Sequence, residues 1–150
     1  MMRKINVEFT AKNLTGNAGL THLGRFAEKL KLPKILKEHI TIQRGVTAGY
    51  SMADAVMMLM IGVLAGAKHM SHLAIIRSDP VIRKLFYWEK FPEDRTFGRI
   101  FKLFNQGHCN ELYEAEDETR KKVWSKKWFG RVTLDMDSTV IGVTGFQEGA

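Results

Sequence analysis

The sequence is poor in two residue types that constrain or interrupt a chain, with one cysteine, Cys109, and three prolines in 150 residues. A single cysteine excludes an intramolecular disulfide. Since disulfides are characteristic of oxidising compartments, this suits a cytoplasmic protein. Hydrophobic residues make up 45% and charged residues 26%, which excludes a disordered chain and fits one domain with its own core.

Long hydrophobic runs are also missing. The N-terminus is basic without an apolar stretch, so it is not a secretory signal. The most apolar segment, Ser51–Ala67, contains Asp54 and would form a helix of about 25 Å. That length falls short of a bilayer core, so we predict a buried helix and no membrane partner.

Positive charge exceeds negative charge, but only in the first part of the chain. The formal net charge is +7. Residues 1–50 hold nine Lys/Arg against three acids, whereas residues 91–150 hold nine against ten. A basic front half is the electrostatic pattern of a nucleic-acid binder, although charge alone fits a plain basic protein equally well.

Hydrophobic periodicity divides the chain into three parts: an irregular leader (1–18), a helical region (19–129) and a segment with strand periodicity (130–150). An apolar face of Leu20, Leu23, Ala27 and Leu30 predicts the first helix, and Lys34–His39 predicts a second. Ser51 with Asp54 resembles a capping box and predicts the start of a central core helix. Its methionines, Met52, Met57, Met58 and Met60, are predicted to fill that core.

Short helices are predicted over Ser71–Arg77 and Pro80–Trp88, and a more regular one over Asp94–Asn105. In the last of these, Phe97, Ile100, Phe101 and Phe104 form an apolar stripe, while Arg95, Arg99 and Lys102 fall on the opposite face. Five residues separate the second of these helices from the third, which is longer than the usual turn of a helix-turn-helix motif.

A last helix is predicted over Glu111–Lys127. Three pairs at i,i+4 spacing and in the favourable order support it: Glu116–Arg120, Asp117–Lys121 and Glu118–Lys122. Its apolar content is low, so we expect it at the surface. Trp124, Trp128 and Phe129 are predicted to pack this helix against the following sheet rather than to stack on bases.

After residue 130 the hydrophobic residues recur at every second position. Val132, Leu134 and Met136 alternate with Thr133, Asp135 and Asp137, which predicts a strand and possible strand pair. Asp135 and Asp137 would then leave the same face. Buried carboxylates need compensation, and Mg²⁺ prefers oxygen ligands. The alternative is an exposed strand end where both acids are solvated.

Two families carry such a motif. LDMDSTV resembles the first motif of the haloacid-dehalogenase-like phosphatases, in which Asp135 would be the nucleophile and Asp137 the acid/base. That family opens with this motif and continues into a long α/β domain, whereas here about 130 residues of helical pattern precede it.

A second resemblance covers residues 19–150, to the bacterial DDE insertion-sequence transposases. Four segments resemble that family in the family's order: GLTHLGRFAEKLKLPKILKEH, SMADAVMMLMIGVLAGAKHMSHLAIIRSDPVIRKLF, FPEDRTFGRIFKLFN and TLDMDSTVIGVTGFQEGA. The resemblance implies a mainly α fold, with a helical N-terminal region followed by the first one or two β-strands of an incomplete RNase H-like α/β domain.

The same resemblance implies the functional residues. Asp137 matches the first acid of the DDE triad and would ligate Mg²⁺ (or Mn²⁺), with Asp135 ranked second. The metals would serve strand nicking and strand transfer. The helical region would bind double-stranded DNA at transposon ends, and a homodimer is possible. The candidate DNA contacts are Arg95, Arg99, Lys102, Arg25, Lys29 and Arg44.

The second Asp and the Glu of a DDE triad have no match in these 150 residues, so we expect them to lack transposase activity alone. A non-catalytic DNA-binding relic or inhibitor is the alternative. His69, His72, His108 and Cys109 match no closed four-ligand zinc pattern, and no zinc site is expected.

Overall fold

The computed structural model describes residues 14–45, 49–133 and 135–136 and shows a mainly α chain, as predicted. Its α-helices in these ranges are α1 (Leu20–Lys29), α2 (Leu32–His39), α3 (Met52–Leu64), α4 (Ala74–Ser78), α5 (Pro80–Leu85), α6 (Asp94–Phe101) and α7 (Gln106–Trp124). A 3-10 turn, Met70–Leu73, leads directly into α4. Most of the predicted leader and most of the predicted strands, with Asp137, lie outside the described residues.

Helix α3 supplies the centre of the hydrophobic core. The predicted capping box is present, since the Ser51 hydroxyl accepts from the Asp54 N–H at 3.1 Å and Asp54 accepts from the Ser51 N–H at 2.9 Å. These two bonds satisfy donors that the first turn would otherwise leave unpaired. Met52, Met57 and Met58 are buried, which confirms the predicted core role for three of the four methionines.

One face of α3 is nevertheless open. Met60, Val63 and Leu64 are 38%, 59% and 56% exposed. The prediction of a buried helix is therefore wrong for this face. Its partners, α2 and the 3-10 turn, cover the other side of the helix.

Helix α1 turns toward the core a face that overlaps the predicted one: Leu20 and Ala27 are buried as predicted, but Leu23 is not. Leu20, Gly24 and Ala27 are buried, whereas Leu23 is 38% exposed. Gly24 lies against the Phe86 ring, and a Cβ atom there would come within 2.9 Å of the ring. The close approach that glycine permits shifts the buried face of α1 toward Gly24 and leaves Leu23 at its edge.

Asp79 connects helix α5 with the segment that precedes α1. Its carboxylate caps α5 by accepting from the N–H groups of Val81 and Ile82, at 3.0 and 3.1 Å. The Thr15 hydroxyl donates to the same carboxylate. Asp79 is buried, so these three donors replace the water that it loses.

The structure corrects the boundary between the last two helices. Helix α6 ends at Phe101, and Asn105 is the N-cap of α7 rather than part of the helix before it. Asn105 and His108 form a reciprocal capping box, with bonds of 3.0 and 3.2 Å. Helix α7 therefore begins five residues before the predicted Glu111, and it ends at Trp124 rather than Lys127.

Helix α7 packs on α2 through polar contacts. His39 Nε2 lies 3.0 Å from Glu118 Oε2, and the Thr41 N–H donates to Glu111 at 3.0 Å. Only Ala115 of α7 is fully buried, which confirms the predicted surface position. Over the stretches that the structure describes, no helix is long and apolar enough to cross a membrane.

Candidate nucleic-acid interface

The predicted basic face of α6 forms. Arg95, Arg99 and Lys102, the C-cap, are all exposed. At about 100° per residue the three side chains fall within roughly 60° of one another. They rise over about 10 Å along the helix. Within the described ranges, none of the three forms an ion pair.

A buried stripe fixes the direction of that basic face. Phe97 and Ile100 are 1% and 4% exposed on the opposite side of α6. Phe97 also packs against Phe91, with ring centroids 6.0 Å apart. Because rotation of α6 would expose this stripe, its three cations are held toward solvent.

Helix α1 carries a smaller basic face. Arg25 and Lys29 are one turn apart and both exposed, and neither pairs with a carboxylate of the described residues. They lie on the side of α1 away from the buried Gly24 and Ala27.

Arg44 is placed differently from the other candidates. Its guanidinium lies over the Tyr50 ring, 4.3 Å from the centroid, in cation–π geometry. The residue is half-buried, and Nη1 has no hydrogen-bond partner among the described residues. Arg44 is therefore held by Tyr50 and is less free to reach a phosphate.

The link between α5 and α6 spans residues 86–93, eight residues. A helix-turn-helix motif joins its helices by three or four residues. This link instead packs into the hydrophobic core: Phe86 stacks on the buried Trp88 with centroids 4.6 Å apart, and Trp88 contacts Phe91 edge-on. The pair is not a helix-turn-helix motif.

The acids of α7 are engaged by neighbouring donors. Hydrogen bonds from the Thr41 side chain and backbone hold the pKa of Glu111 below its usual value. Bonds from Lys122 and His39 lower the pKa of Glu118 in the same way. The three predicted i,i+4 pairs are confirmed, with N···O distances of 3.5, 2.9 and 2.6 Å for Glu116–Arg120, Asp117–Lys121 and Glu118–Lys122.

The segment after α7 carries the predicted catalytic acids. Asp135 is exposed, and Asp137 lies outside the described residues. No group of three His, Cys, Asp or Glu side chains suited to a metal occurs in the described ranges. His69 and His72 contact each other edge-on, and His108 serves as part of the α7 cap.

The predicted packing of the aromatic residues against a sheet stays a prediction, because most of that segment lies outside the described residues. Trp124 contacts Phe129 edge-on with centroids 6.1 Å apart. Trp128 is 91% exposed.

Sequence spacing missed two features of this surface. Glu111, Glu114 and Glu118 recur at i, i+3 and i+7, a spacing that marks one face of α7, and the fold turns that face to His39 and Thr41. The fold also brings Lys122 and Lys126 beside Lys29, about 90 residues away along the chain. The spacing of the glutamates could have revealed the acidic face of α7 from the sequence. No sequence pattern indicates that these lysines lie together.

Comparison with known proteins assigns the family. The family model described as the transposase DDE domain, group 1, matches residues 1–150. No curated protein and no solved structure gives a match. This chain belongs to the DDE transposase domain family, which is the family that its sequence resembles.

Proposed function

We propose that the helical region of this chain binds double-stranded DNA through the basic face of α6, as part of a transposase that acts at transposon ends. One observation carries the proposal: Arg95, Arg99 and Lys102 project together from α6 with no carboxylate partner in the described ranges. The family match favours this interpretation over a phosphatase.

The chemistry suits a phosphate backbone. Arginine presents a planar fork that bonds two phosphate oxygens at once, and lysine adds a point charge. Three cations over about 10 Å of helix can contact phosphates along one strand of a duplex. Such contacts position DNA without reading its sequence.

Salt dependence tests the α6 interface. We expect the wild-type chain to bind a fluorescent mixed-sequence duplex, with affinity that falls steeply as salt increases. The variant Arg95→Gln/Arg99→Gln/Lys102→Gln should lower the slope of log K against log salt by about 2.7, since each phosphate contact contributes about 0.9.

The matched control removes the same charge elsewhere. Lys37→Gln/Lys68→Gln/Lys84→Gln also lowers the net charge by three, at exposed sites outside α6 that form no ion pair among the described residues, and should leave the slope almost unchanged. If both variants give the wild-type slope, α6 is not the DNA interface.

We also propose that Asp137, with Asp135 beside it, provides the first carboxylate of a metal-dependent strand-transfer site. Exposed aspartate oxygens are ligands of the kind that Mg²⁺ and Mn²⁺ prefer, and Asp135 is exposed. A bound divalent ion would activate the attacking water or 3′-hydroxyl and stabilise the leaving oxygen. This chain's own part is to hold the carboxylates where such an ion binds.

Paramagnetic Mn²⁺ tests the ligand assignment without requiring activity. We expect Mn²⁺ to broaden the NMR signals of residues 131–136 selectively, because relaxation falls steeply with distance from the ion. Asp137→Asn should reduce this broadening more than Asp135→Asn, while Asp117→Asn on α7 should leave it unchanged. Unaltered broadening in Asp137→Asn would remove Asp137 from the site.

A further inference from the structure

A second basic surface lies where the C-terminal ends of α1 and α7 meet. A groove of about 430 Å³ opens there. Four lysines line it: Lys29, Lys31, Lys122 and Lys126. Phe26, which is 55% exposed, forms part of its apolar wall. Among the residues that the structure describes, no acidic side chain lines the groove.

The positive charge of this groove is not balanced by its surroundings. Lys122 pairs with Glu118 at 2.6 Å, but no carboxylate of the described residues pairs with Lys29, Lys31 or Lys126. The helix dipoles at the ends of α1 and α7 each contribute about half a negative charge. Four lysines contribute +4, Glu118 contributes −1 and the two helix ends together contribute about −1, so the net charge of the groove is about +2.

Lys31 stands where the backbone favours a different residue. It follows the C-cap of α1 in the left-handed region, with φ of 60°. Glycine is the usual residue at this position because it has no Cβ. Lysine here accepts an unfavourable backbone conformation and supplies an exposed cation to the groove.

The groove also lies close along the chain to the acidic segment. Asp135 follows Lys126 by nine residues, so the chain can separate their Cα atoms by at most about 32 Å. A polyanion held in the groove therefore lies within chain reach of the carboxylates that we assign to strand transfer.

We propose that this groove is a second contact surface for the DNA backbone, with Lys31, Lys122 and Lys126 as phosphate-binding residues in addition to Lys29. The proposal rests on the proposed function and extends it, since it adds a site to the α6 interface. Lysine ammonium groups bind phosphate as point charges. The apolar wall at Phe26 suits the sugar faces between phosphates.

Salt titration of a duplex tests the groove separately from α6. The variant Lys31→Gly/Lys126→Gln removes two of its charges and should lower the slope of log K against log salt by about 1.8. The control Lys37→Gln/Lys68→Gln removes the same charge from exposed positions outside the groove, neither of which forms an ion pair among the described residues. It should keep the wild-type slope.

Folding is checked on the same samples. Because glycine suits the left-handed position of residue 31, Lys31→Gly should keep or raise the midpoint of urea unfolding. A reduced salt slope in this variant is then a loss of contacts and not of structure. Lys122→Gln is left out because it would also remove the Glu118 ion pair.

The outcomes separate the two proposals. A wild-type slope in the groove variant, with a reduced slope in the α6 variant, overturns the groove and leaves the α6 interface standing. A reduced slope in the groove variant alone supports the groove and overturns the α6 assignment. If the wild-type chain does not bind duplex DNA, both fail.

Discussion

Asp79 ties two segments together through one carboxylate. Burial by itself would raise the pKa of this group. The hydrogen bonds from Thr15 and from the N–H groups of Ile82 and Val81 favour the ionised form, and the pKa lies below its usual 3.8. The carboxylate therefore stabilises the folded state more when it is ionised than when it is protonated.

We expect Asp79→Ala to lower the free energy of unfolding by about 1 kcal/mol or more at neutral pH, the usual effect of losing an N-cap. The folded pKa is depressed, so this stabilisation is present above about pH 4 and is lost as pH falls through the folded pKa. Urea unfolding of both chains at neutral and acidic pH measures it.

The companion variant Thr15→Val removes one donor and keeps the α5 cap. It should cost less than Asp79→Ala at neutral pH. An equal loss at neutral and acidic pH in Asp79→Ala would show that the carboxylate acts by packing and not by charge.

At the scale of single elements, two glycines inside helices have opposite surroundings. A Cβ at Gly62 of α3 would overlap the Leu73 side chain, which is 3% exposed. A Cβ at Gly98 of α6 would meet nothing within 4 Å. Alanine favours a helix interior over glycine by about 1 kcal/mol, so packing alone decides the difference.

We expect Gly62→Ala to destabilise the chain, since overpacking a core costs about 1–3 kcal/mol and outweighs the gain in helix propensity. Gly98→Ala should stabilise it by about 0.5–1 kcal/mol. Thermal or urea unfolding of the two variants side by side measures both signs. If Gly62→Ala also stabilises, then Leu73 moves aside at little cost, and α3 is not tightly packed on the 3-10 turn.

The helices that the sequence predicted best are those specified by local chemistry. The Ser51–Asp54 capping box and the i,i+4 pairs of α7 involve residues close in the chain, so spacing reveals them. The start of α7 was missed because the Asn105–His108 box uses a histidine where Glu or Gln is usual. The face of α1 depends on Phe86, which no local pattern can report.

The candidate site divides in the same way. The basic face of α6 follows from its period, and the structure forms it as predicted. The lysine groove joins residues of α1 to residues at the end of α7, so only the packing of those helices brings its cations together. The carboxylates that we assign to strand transfer come from motif resemblance, and that assignment stays a prediction.

At the scale of the whole molecule, two basic surfaces raise the question of whether one duplex contacts both. If it does, the losses in salt slope should add: combining the α6 and groove variants should lower the slope by about 4.5. Fluorescence anisotropy with one labelled duplex measures this. A combined loss equal to that of one variant alone would mean that one duplex does not contact both surfaces at the same time.

The rotation of α7 about its own axis determines which of its side chains face α2 and α1. Asn105 caps its first turn. In its middle, Glu118 contacts His39 of α2 and Glu111 accepts from Thr41, just after α2. Its C-terminal end places lysines beside α1. One residue inserted between Glu118 and Lys122 would turn those lysines by about 100° and advance them by about 1.5 Å. We therefore expect α7 to tolerate substitutions on its exposed face but not insertions or deletions between Glu118 and Lys122.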